Sequence, residues 1–286
     1  MLGGENEPDG RGDANRESHG GTMIRAIFNQ KGGVGKSTIA CNLAAAATSI
    51  GRRAVVIDVD PQGNSTSYLG HDGQDGVVGM TEFFESLLSH KYRSMSSDDF
   101  VRETAFPGLF LVSANREMAD LEQKLSARHK ILKLRQFVRD LAALYDDVFL
   151  DTPPAFNFFS LSALIAAETV LIPFDCDEFS RDALFELLRN IEEVREDHNS
   201  PLLFEGVVIN QFQARANYPK HAVAELREAG VPVLEPFVST SVKVRESHSA
   251  KKPLVLMEPR HKISQEFVSL YSALSIADGQ LLHSVA

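Results

Sequence analysis

The chain has 286 residues, of which 29 are Lys or Arg and 39 are Asp or Glu, so its formal net charge is -10 at pH 7. This acidity excludes a protein that coats nucleic acid or an anionic membrane with its whole surface. Hydrophobic residues make up 43% of the chain, which is enough for a folded core and excludes disorder throughout. Cys41 and Cys176 lie far apart in sequence, and we interpret them as reduced core thiols rather than as a disulfide or a zinc site.

The chain divides into three predicted segments. Residues 1–22 are rich in Gly and in charged and amide side chains without an apolar run, which predicts a disordered tail and excludes a secretory signal. Residues 23–276 are predicted to form a single domain, and residues 277–286 are predicted to be a flexible C-terminal tail. Because no stretch approaches the ~20 apolar residues of a membrane-spanning helix, the sequence predicts a soluble protein.

From Met23 onward, short β-branched and aromatic runs alternate with helical patterns. The strand candidates are Arg25–Asn29, Ala54–Asp58, Leu109–Ser113, Val148–Asp151, Val170–Pro173, Gly206–Asn210 and Val231–Pro236. The helix candidates are Lys36–Ile50, Thr81–Ser89, Ala114–Leu125, His129–Leu144, Leu161–Ala167, Arg181–His198, Tyr218–Ala229 and Ser264–Ile276. Strands that are apolar at consecutive positions and alternate with helices predict an α/β fold with a doubly wound, mostly parallel sheet flanked by helices.

A glycine-rich segment follows the first strand candidate and precedes an Ala-rich helix candidate. Its end, Gly35-Lys36-Ser37, fits the phosphate-loop pattern G-x-x-x-x-G-K-[ST], although Gln30 stands where the first Gly is expected. Lys36 would lie along the β- and γ-phosphates, and Ser37 would offer its hydroxyl to Mg²⁺. Backbone N–H groups can approach phosphate oxygens closely at three glycines, Gly32, Gly33 and Gly35. The alternative, a strand-to-helix turn with a chance lysine, is disfavoured by the elements on either side.

The segment from Lys31 to Thr38, K-G-G-V-G-K-S-T, resembles the deviant Walker A motif of the ParA/MinD family of P-loop ATPases. The resemblance covers roughly residues 23–275 and implies an ATP hydrolase that uses ATP and Mg²⁺. It also implies that Lys31 reaches across a nucleotide-sandwich dimer to the partner subunit's phosphates, and that Lys31 and Lys36 both serve hydrolysis. The nucleotide contacts that it implies in this loop are Gly32, Gly33, Val34, Gly35, Lys36, Ser37 and Thr38.

Three carboxylates near the ends of strand candidates extend the resemblance. Asp58 and Asp60 lie in D-V-D-P-Q-G-N, which resembles a segment of the ParA partition branch, and Asp151 lies in V-F-L-D-T-P-P, which resembles Walker B and switch II. Carried over by position, Asp60 positions the attacking water, Asp58 supports the Mg²⁺ shell, and Asp151 faces Mg²⁺ through a water. Such positions are chemically reasonable, because ligands of open α/β sheets bind outside the carboxyl ends of the strands.

The resemblance to the family extends to two positions near the expected adenine site, and one aromatic segment departs from it. Asn210 and Pro236 end two strand candidates at places that, in the family, bracket the adenine ring, although Asn210 can also be read as a simple turn residue. The segment Phe156–Phe159 departs from the family pattern. It can pack in the core or face a partner, and we expect it to pack in the core.

Basic residues are concentrated near the C-terminus of this acidic chain. Residues 240–262 contain six Lys or Arg and two Glu. The family resemblance implies that nonspecific DNA is bound here and beside the adenine segment, by Arg215, Lys243, Arg245 and Lys252. Contacts of this kind go to phosphates and depend strongly on salt. The alternative is a solvated basic face without a ligand.

The resemblance implies a ParA-type ATPase of the cytoplasm and nucleoid that forms a homodimer on ATP binding and partitions or positions DNA or a protein cargo. A ParB-like or other cargo adaptor would stimulate its weak hydrolysis. One alternative is a MinD-like or DNA-independent switch that positions a protein complex. Residues 277–286 contain no Lys or Arg, which disfavours a membrane-binding helix. Another alternative, an enzyme that uses ATP to activate a small molecule, would need additional catalytic residues.

Overall fold

One sheet of eight strands organises the part of the chain that the computed structural model describes, residues 22–71, 78–92, 94–176 and 181–285. The strand order is β3-β4-β2-β5-β1-β6-β7-β8, and every pair is parallel except β3 with β4. The strands are β1 (Met23–Ile27), β2 (Ala54–Asp58), β3 (Arg102–Glu103), β4 (Leu109–Val112), β5 (Asp147–Asp151), β6 (Thr169–Asp175), β7 (Leu203–Asn210) and β8 (Val233–Leu234). This arrangement confirms the predicted α/β fold class.

Helices cover both faces of the sheet. Those in the described residues are α1 (Lys36–Ser49), α2 (Asn64–Tyr68), α3 (Met80–Ser86), α4 (Glu122–Ala127), α5 (Lys133–Ala142), α6 (Phe158–Ala166), α7 (Arg181–Asp197), α8 (Asn217–Glu228), α9 (Val242–Ser249), α10 (Leu254–Met257) and α11 (Lys262–Val285). Two short 3-10 helices span Ser97–Phe100 and Arg116–Leu121. Within those residues, none of the helices combines the length and the apolar character needed to cross a membrane.

The observed elements differ from the sequence prediction mainly at their ends. The predicted strand Val231–Pro236 shrinks to β8, because Pro232 and Pro236 lack the N–H group that a strand ladder needs. The predicted helix Ala114–Leu125 is divided between a 3-10 helix and α4. Sequence analysis missed β3, α2, α9 and α10. Strand β3 has only two residues, and a helix of eight residues or fewer shows little more than two turns of the helical repeat.

The central strands are buried on both faces, which explains their continuous apolar sequences. On β1 and just after it, Ile24, Ala26 and Phe28 pack with α3, α5 and α6, whereas Ile27 faces α1 and α11. The stretch Ala44–Ala47 of α1 has no exposed surface, so this helix packs directly over the sheet through small side chains. The packing therefore fixes the first turn of α1 beside the carboxyl end of β1.

Both predicted tails differ from expectation where the structure describes them. Thr22 Oγ1 donates hydrogen bonds to the carbonyls of Ala142 (3.0 Å) and Tyr145 (3.2 Å), and residues 1–21 of the predicted disordered tail lie outside the described residues. The flexible segment predicted at 277–286 is wrong at its start, because α11 continues to Val285 and Asp278 is buried against Arg25. Arg25 Nη2 lies 2.5 and 2.6 Å from the two carboxylate oxygens of Asp278.

Candidate functional site

The glycine-rich loop connects β1 to α1 at the carboxyl edge of the sheet. Gly33 and Gly35 have φ angles of 79° and 90°, a region that favours glycine. A Cβ atom on Gly35 would lie 2.2 Å from Asn210 Nδ2, so this position also needs glycine for space. The first N–H groups of α1 have no acceptor within the helix, and they begin at Lys36. The N–H groups that have no acceptor within α1 therefore lie beside the glycines of the loop, an arrangement that can bind an anion.

The Lys36 side chain is folded back over this loop. Its Nζ donates a hydrogen bond to the carbonyl oxygen of Lys31 at 3.0 Å, and only 7% of the residue is exposed. Burial lowers the pKa of Lys36, while the charges of Asp151 and Asp60 oppose that change. An ammonium group has three donors, so Lys36 can bind additional acceptors such as phosphate oxygens.

Asp151 is the fully buried carboxylate at the end of β5. Its Oδ2 accepts a hydrogen bond from Ser65 Oγ at 2.7 Å, whereas the buried Oδ1 has no hydrogen-bond partner among the described residues. Burial raises the pKa of Asp151 to about 6, although the nearby hydroxyls of Ser37 and Ser65 favour the charged form. A buried carboxylate oxygen without a partner is costly unless a ligand uses it. Together with the Ser37 hydroxyl, it offers the oxygen ligands that Mg²⁺ prefers.

Asp58 lies beside Asp151, since the two residues are register partners on β2 and β5. Its Oδ2 accepts hydrogen bonds from Thr66 N and Thr66 Oγ1, both at 2.8 Å, and its Oδ1 accepts one from Asp60 N at 3.1 Å. Burial, followed by the charge of Asp151, raises the pKa of Asp58 well above its usual range. In this structure the side chain fixes the start of α2 and the loop that carries Asp60.

Asp60 lies on that loop and is 4% exposed. Its Oδ1 accepts a hydrogen bond from Gln62 N at 2.9 Å. Burial raises the pKa of Asp60, and both the Gln62 N–H group and the charge of Lys36 oppose the shift. Asp60 is therefore a largely buried carboxylate near enough to the loop lysine to be influenced by its charge.

Lys31 is the first residue of the segment Lys31–Thr38, and its carbonyl oxygen accepts the hydrogen bond from Lys36 Nζ. Its backbone N–H donates to Asn29 Oδ1 at 2.9 Å. Beside it is a cleft of about 290 Å³ whose wall includes Lys31, Val34 and, from α7, Leu184 and Glu186. Lys31 therefore lines a cleft beside the loop.

Asn210 contacts the loop directly. Its Nδ2 donates to the carbonyl oxygen of Val34 at 2.9 Å, and the residue is 6% exposed. Pro236 belongs to the neighbouring segment, which is held to the end of β7 by a 2.8 Å hydrogen bond from Val238 N to the carbonyl oxygen of Ile209. Both residues thus lie at the same edge of the sheet as the loop, and Asn210 has a structural contact that sequence analysis did not predict.

The predicted DNA-binding residues differ in how much charge they expose. Lys243 Nζ lies 2.9 Å from Glu246 Oε2 and 2.8 Å from Glu258 Oε1, and these two carboxylates raise its pKa and offset its charge. Arg215 and Arg245 are exposed and have no ion-pair partner among the described residues, while Lys252 is half-buried. The two arginines are therefore better placed than Lys243 to contact phosphates.

Several residues around the site were not singled out by sequence analysis. Ser65 and Thr66 hold Asp151 and Asp58, and the only sequence signal was two hydroxyl residues directly after the D-P-Q-G-N segment. His248 lies 2.8 Å from the loop residue Thr38, measured from Nε2 to Oγ1, and nothing in the sequence indicated that contact.

The aromatic segment after β5 is divided between core and surface. Phe158 and Phe159 are buried, as expected, and Asn157 caps α6 by accepting hydrogen bonds from Phe159 N and Ser160 N. Phe156 is 39% exposed, and its ring centroid lies 6.2 Å from that of Phe28. Core packing therefore accounts for two of the three phenylalanines.

The comparisons with known proteins agree with this geometry. A family profile described as an AAA domain matches residues 22–204. The chain is 35% identical to the chromosome partitioning protein ParA of Myxococcus xanthus, over 91% of this chain and 90% of that protein. It is 29% identical to the sporulation initiation inhibitor protein Soj of Bacillus subtilis, over 86% of this chain and 96% of Soj.

Among solved structures, cobyrinic acid a,c-diamide synthase from Mycobacterium smegmatis, with a bound ATP analog and magnesium, has a TM-score of 0.76 and 26% identity. The match covers 88% of this chain and 94% of the synthase chain. The ATP complex of a variant of McdA from Cyanothece has a TM-score of 0.76 at 21% identity, covering 90% and 97% of the two chains. The second likeness concerns the fold alone.

Proposed function

This chain belongs to the ParA/MinD family of P-loop ATPases, and from that membership we propose that it is an ATP-driven partition or positioning protein. The relatives that support this proposal include chromosome partitioning proteins and the cell division protein PomZ of Myxococcus xanthus, 29% identical over 85% of this chain. We further propose that ATP assembles a homodimer, that the dimer binds nonspecific DNA, and that a cargo adaptor stimulates weak hydrolysis. Such a protein would act in the cytoplasm on the nucleoid.

The loop residues and Asp151 fit ATP and Mg²⁺. The backbone from Gly32 to Thr38 would hold the phosphates, Lys36 would neutralise them, and Asn210 and Pro236 would border the base. Ser37 and Asp151 would hold Mg²⁺, with Asp58 supporting them. No group of three or more His, Cys, Asp or Glu within the described ranges forms a metal cage. Mg²⁺ needs none, because it is usually held by one or two carboxylates, substrate phosphates and water.

Hydrolysis needs a water molecule oriented toward the terminal phosphate, and we assign that role to Asp60. The bound ion would supply charge neutralisation at the phosphates. Lys31, which lines the cleft beside the loop, would complete the site in trans. This arrangement makes turnover depend on a second subunit.

The observation that carries the proposal is the combination of the buried, unpartnered Oδ1 of Asp151 with the loop lysine Lys36. The proposal predicts that DNA binding depends on the nucleotide. We expect the wild-type protein to bind a duplex of random sequence about tenfold or more tightly with ATP than with ADP at low salt. The measurement is fluorescence anisotropy of labelled DNA, with the oligomeric state followed by light scattering.

Lys31→Ala is the informative variant for this experiment. It leaves Lys36 and Asp151 in place, so we expect it to bind ATP but to remain monomeric and to bind DNA weakly. Equal DNA binding by the wild type with ATP, the wild type with ADP and Lys31→Ala would reject a nucleotide-gated dimer. The 26% identity to the diamide synthase supports ATP-dependent amide formation as a second candidate function. ATP hydrolysis that requires a small-molecule substrate and is unaffected by DNA would favour this second candidate.

Charge exposure on α9 gives a second prediction. Arg245→Ala is expected to weaken DNA binding about five- to tenfold near 0.1 M salt and to lower the slope of log K against log salt by about one, because one phosphate contact is lost. Lys243→Ala is the matched control on the same helix. Since Glu246 and Glu258 already offset Lys243, its removal should have a smaller effect.

Anisotropy titrations of both variants at several salt concentrations make this comparison. If Lys243→Ala lost more DNA affinity than Arg245→Ala, the assignment of the phosphate contact to Arg245 would be contradicted. If Arg245→Ala, Lys243→Ala and Arg215→Ala all bind DNA as tightly as the wild type, these residues do not contact DNA. A switch that acts without DNA would be favoured if the three variants also kept the wild-type position in the cell.

A further inference from the structure

Helix α9 is connected to the nucleotide loop by one side-chain pair. His248 Nε2 lies 2.8 Å from Thr38 Oγ1, between residues that are 210 positions apart in sequence. Thr38 is in the first turn of α1, at the end of the helix that faces phosphate in the proposed function. His248 is half-buried, and burial lowers its pKa, which favours the neutral ring with one acceptor nitrogen.

The same end of α9 also packs against α2. The His248 ring stacks on Tyr68 with a centroid distance of 3.7 Å and an interplanar angle of 12°. The Tyr68 hydroxyl lies 2.7 Å from Ser247 Oγ and accepts hydrogen bonds from Asn42 Nδ2 (3.1 Å) and Leu254 N (3.2 Å). Helix α9 therefore meets both helices that start at the candidate site, because α2 begins directly after the loop that carries Asp60.

The position of α9 determines where an exposed cation points. Arg245 is one helical turn before His248, so both lie on neighbouring positions of the same helix. Lys243, nearer the helix start, already faces Glu246 and Glu258. A small change in the tie between His248 and Thr38 would therefore reposition Arg245, while the charge of Lys243 stays offset.

We propose that His248 is a positioning residue that couples occupancy of the nucleotide site to the placement of α9, an inference that rests on the proposed function. When the neutral ring carries its proton on Nδ1, Nε2 accepts the hydrogen bond from Thr38 Oγ1, and a phosphate oxygen would compete for the same hydroxyl proton. When a phosphate oxygen accepts the hydrogen bond from the Thr38 hydroxyl, His248 loses its contact with α1. Helix α9 is then held by the Tyr68 contacts. Because coupling is reciprocal, the contact between His248 and Thr38 weakens nucleotide binding by the same factor as the nucleotide weakens that contact. Removing the contact therefore favours nucleotide binding and frees α9.

The test uses His248→Phe, which keeps an aromatic ring on Tyr68 and removes the nitrogen that contacts Thr38. We expect this variant to bind a fluorescent, slowly hydrolysed ATP analogue about three- to tenfold more tightly than the wild type, since no hydrogen bond has to be exchanged. Hydrogen exchange of the α9 amides should accelerate on nucleotide binding in the wild type. In the variant it should already be fast without nucleotide.

A control and a second variant keep this test decisive. Ser249→Ala changes an exposed residue of α9 whose hydroxyl bonds only the carbonyl of Arg245 at 3.2 Å, and it should match the wild type in both measurements. His248→Leu fills the space without a nitrogen and carries the same expectation of tighter binding. A residue with a merely structural role would not tighten nucleotide binding when it is removed.

Unchanged or weaker nucleotide binding by both His248 variants, with a wild-type exchange response in α9, would overturn the coupling. Neither measurement contains DNA. Absence of DNA binding by the wild type with every nucleotide would therefore reject the proposed function and leave the His248 result interpretable by itself.

Discussion

Lys36→Ala is expected to lower the affinity for ATP at least about 100-fold and to abolish hydrolysis. The physical reason is that Lys36 is the ammonium group folded over the loop, with its Nζ 3.0 Å from the Lys31 carbonyl oxygen. Charge-assisted hydrogen bonds to phosphate contribute about 3 kcal/mol, which corresponds to about two orders of magnitude in affinity. Isothermal titration calorimetry gives the affinity, and phosphate release gives the rate.

Asp60→Asn is the matched control, because it changes a buried site residue by a single atom. We expect it to bind ATP within about threefold of the wild type while hydrolysis falls about 100-fold or more, since an amide cannot accept the proton of the attacking water. If Lys36→Ala bound ATP as tightly as the wild type, the role of this loop in binding ATP would be rejected. Rapid hydrolysis by Asp60→Asn would instead reject only the role of Asp60.

The second large effect concerns a buried ion cluster at the amino edge of the sheet. Arg25 has no exposed surface, and its Nε lies 3.1 Å from Glu205 Oε2 while its Nη2 lies 2.5 Å from Asp278. Asp147 is 3.7 Å away and also accepts from Arg52 Nε at 2.6 Å. Burial disfavours the charged guanidinium, but Glu205 and Asp278 outweigh it and raise the pKa of Arg25. The cluster thereby joins three strands, β1, β5 and β7, to helix α11.

Arg25→Met is expected to reduce the free energy of unfolding by about 3–5 kcal/mol, because it leaves buried carboxylates without their cation. Urea denaturation followed by circular dichroism measures the loss. Burial already raises the pKa values of Glu205 and Asp147, and removal of Arg25 raises them further. A buried carboxyl group whose pKa is raised in the folded protein makes that protein less stable as the pH rises and the group must ionise. The loss of unfolding free energy caused by Arg25→Met should therefore be larger near pH 8 than near pH 5.

Arg53→Met is the control for this stability experiment. Arg53 is an exposed arginine of the same edge, and its guanidinium lies over the rings of Phe110 (5.1 Å) and Tyr145 (4.8 Å). Its replacement should cost about 1 kcal/mol or less. Equal losses for the two variants would show that burial of Arg25 adds nothing, which would contradict the role of the cluster.

Much of the site could be predicted because its signals are local. The run from Lys31 to Thr38 needs only the order of its residues to be recognised as a phosphate loop between a strand and a helix. Asp58 and Asp151 could be placed together from sequence, because each ends an apolar strand and parallel strands end at the same edge. In the structure these two residues are register partners on neighbouring strands.

Other features could not be predicted, because they depend on how side chains meet. The six basic and two acidic residues in 240–262 predicted a locally basic segment, but the sequence did not show that Lys243 pairs with both Glu246 and Glu258. Similarly, the segment from 277 contains Gly279 and no basic residue and was predicted to be flexible. Asp278 in this segment pairs with Arg25, which lies 253 positions away in the sequence.

By itself, the sequence determined the α/β class, the order of the longer strands and helices and the position of the phosphate loop. Periodicity, glycine placement and apolar runs act over a few residues, so they can be read directly along the chain. Only the tertiary structure decided which oxygen of Asp151 lacks a partner, that Asn210 holds the loop through Val34, and that His248 touches Thr38. These contacts join distant segments, and their geometry arises from packing of the whole sheet rather than from any local pattern.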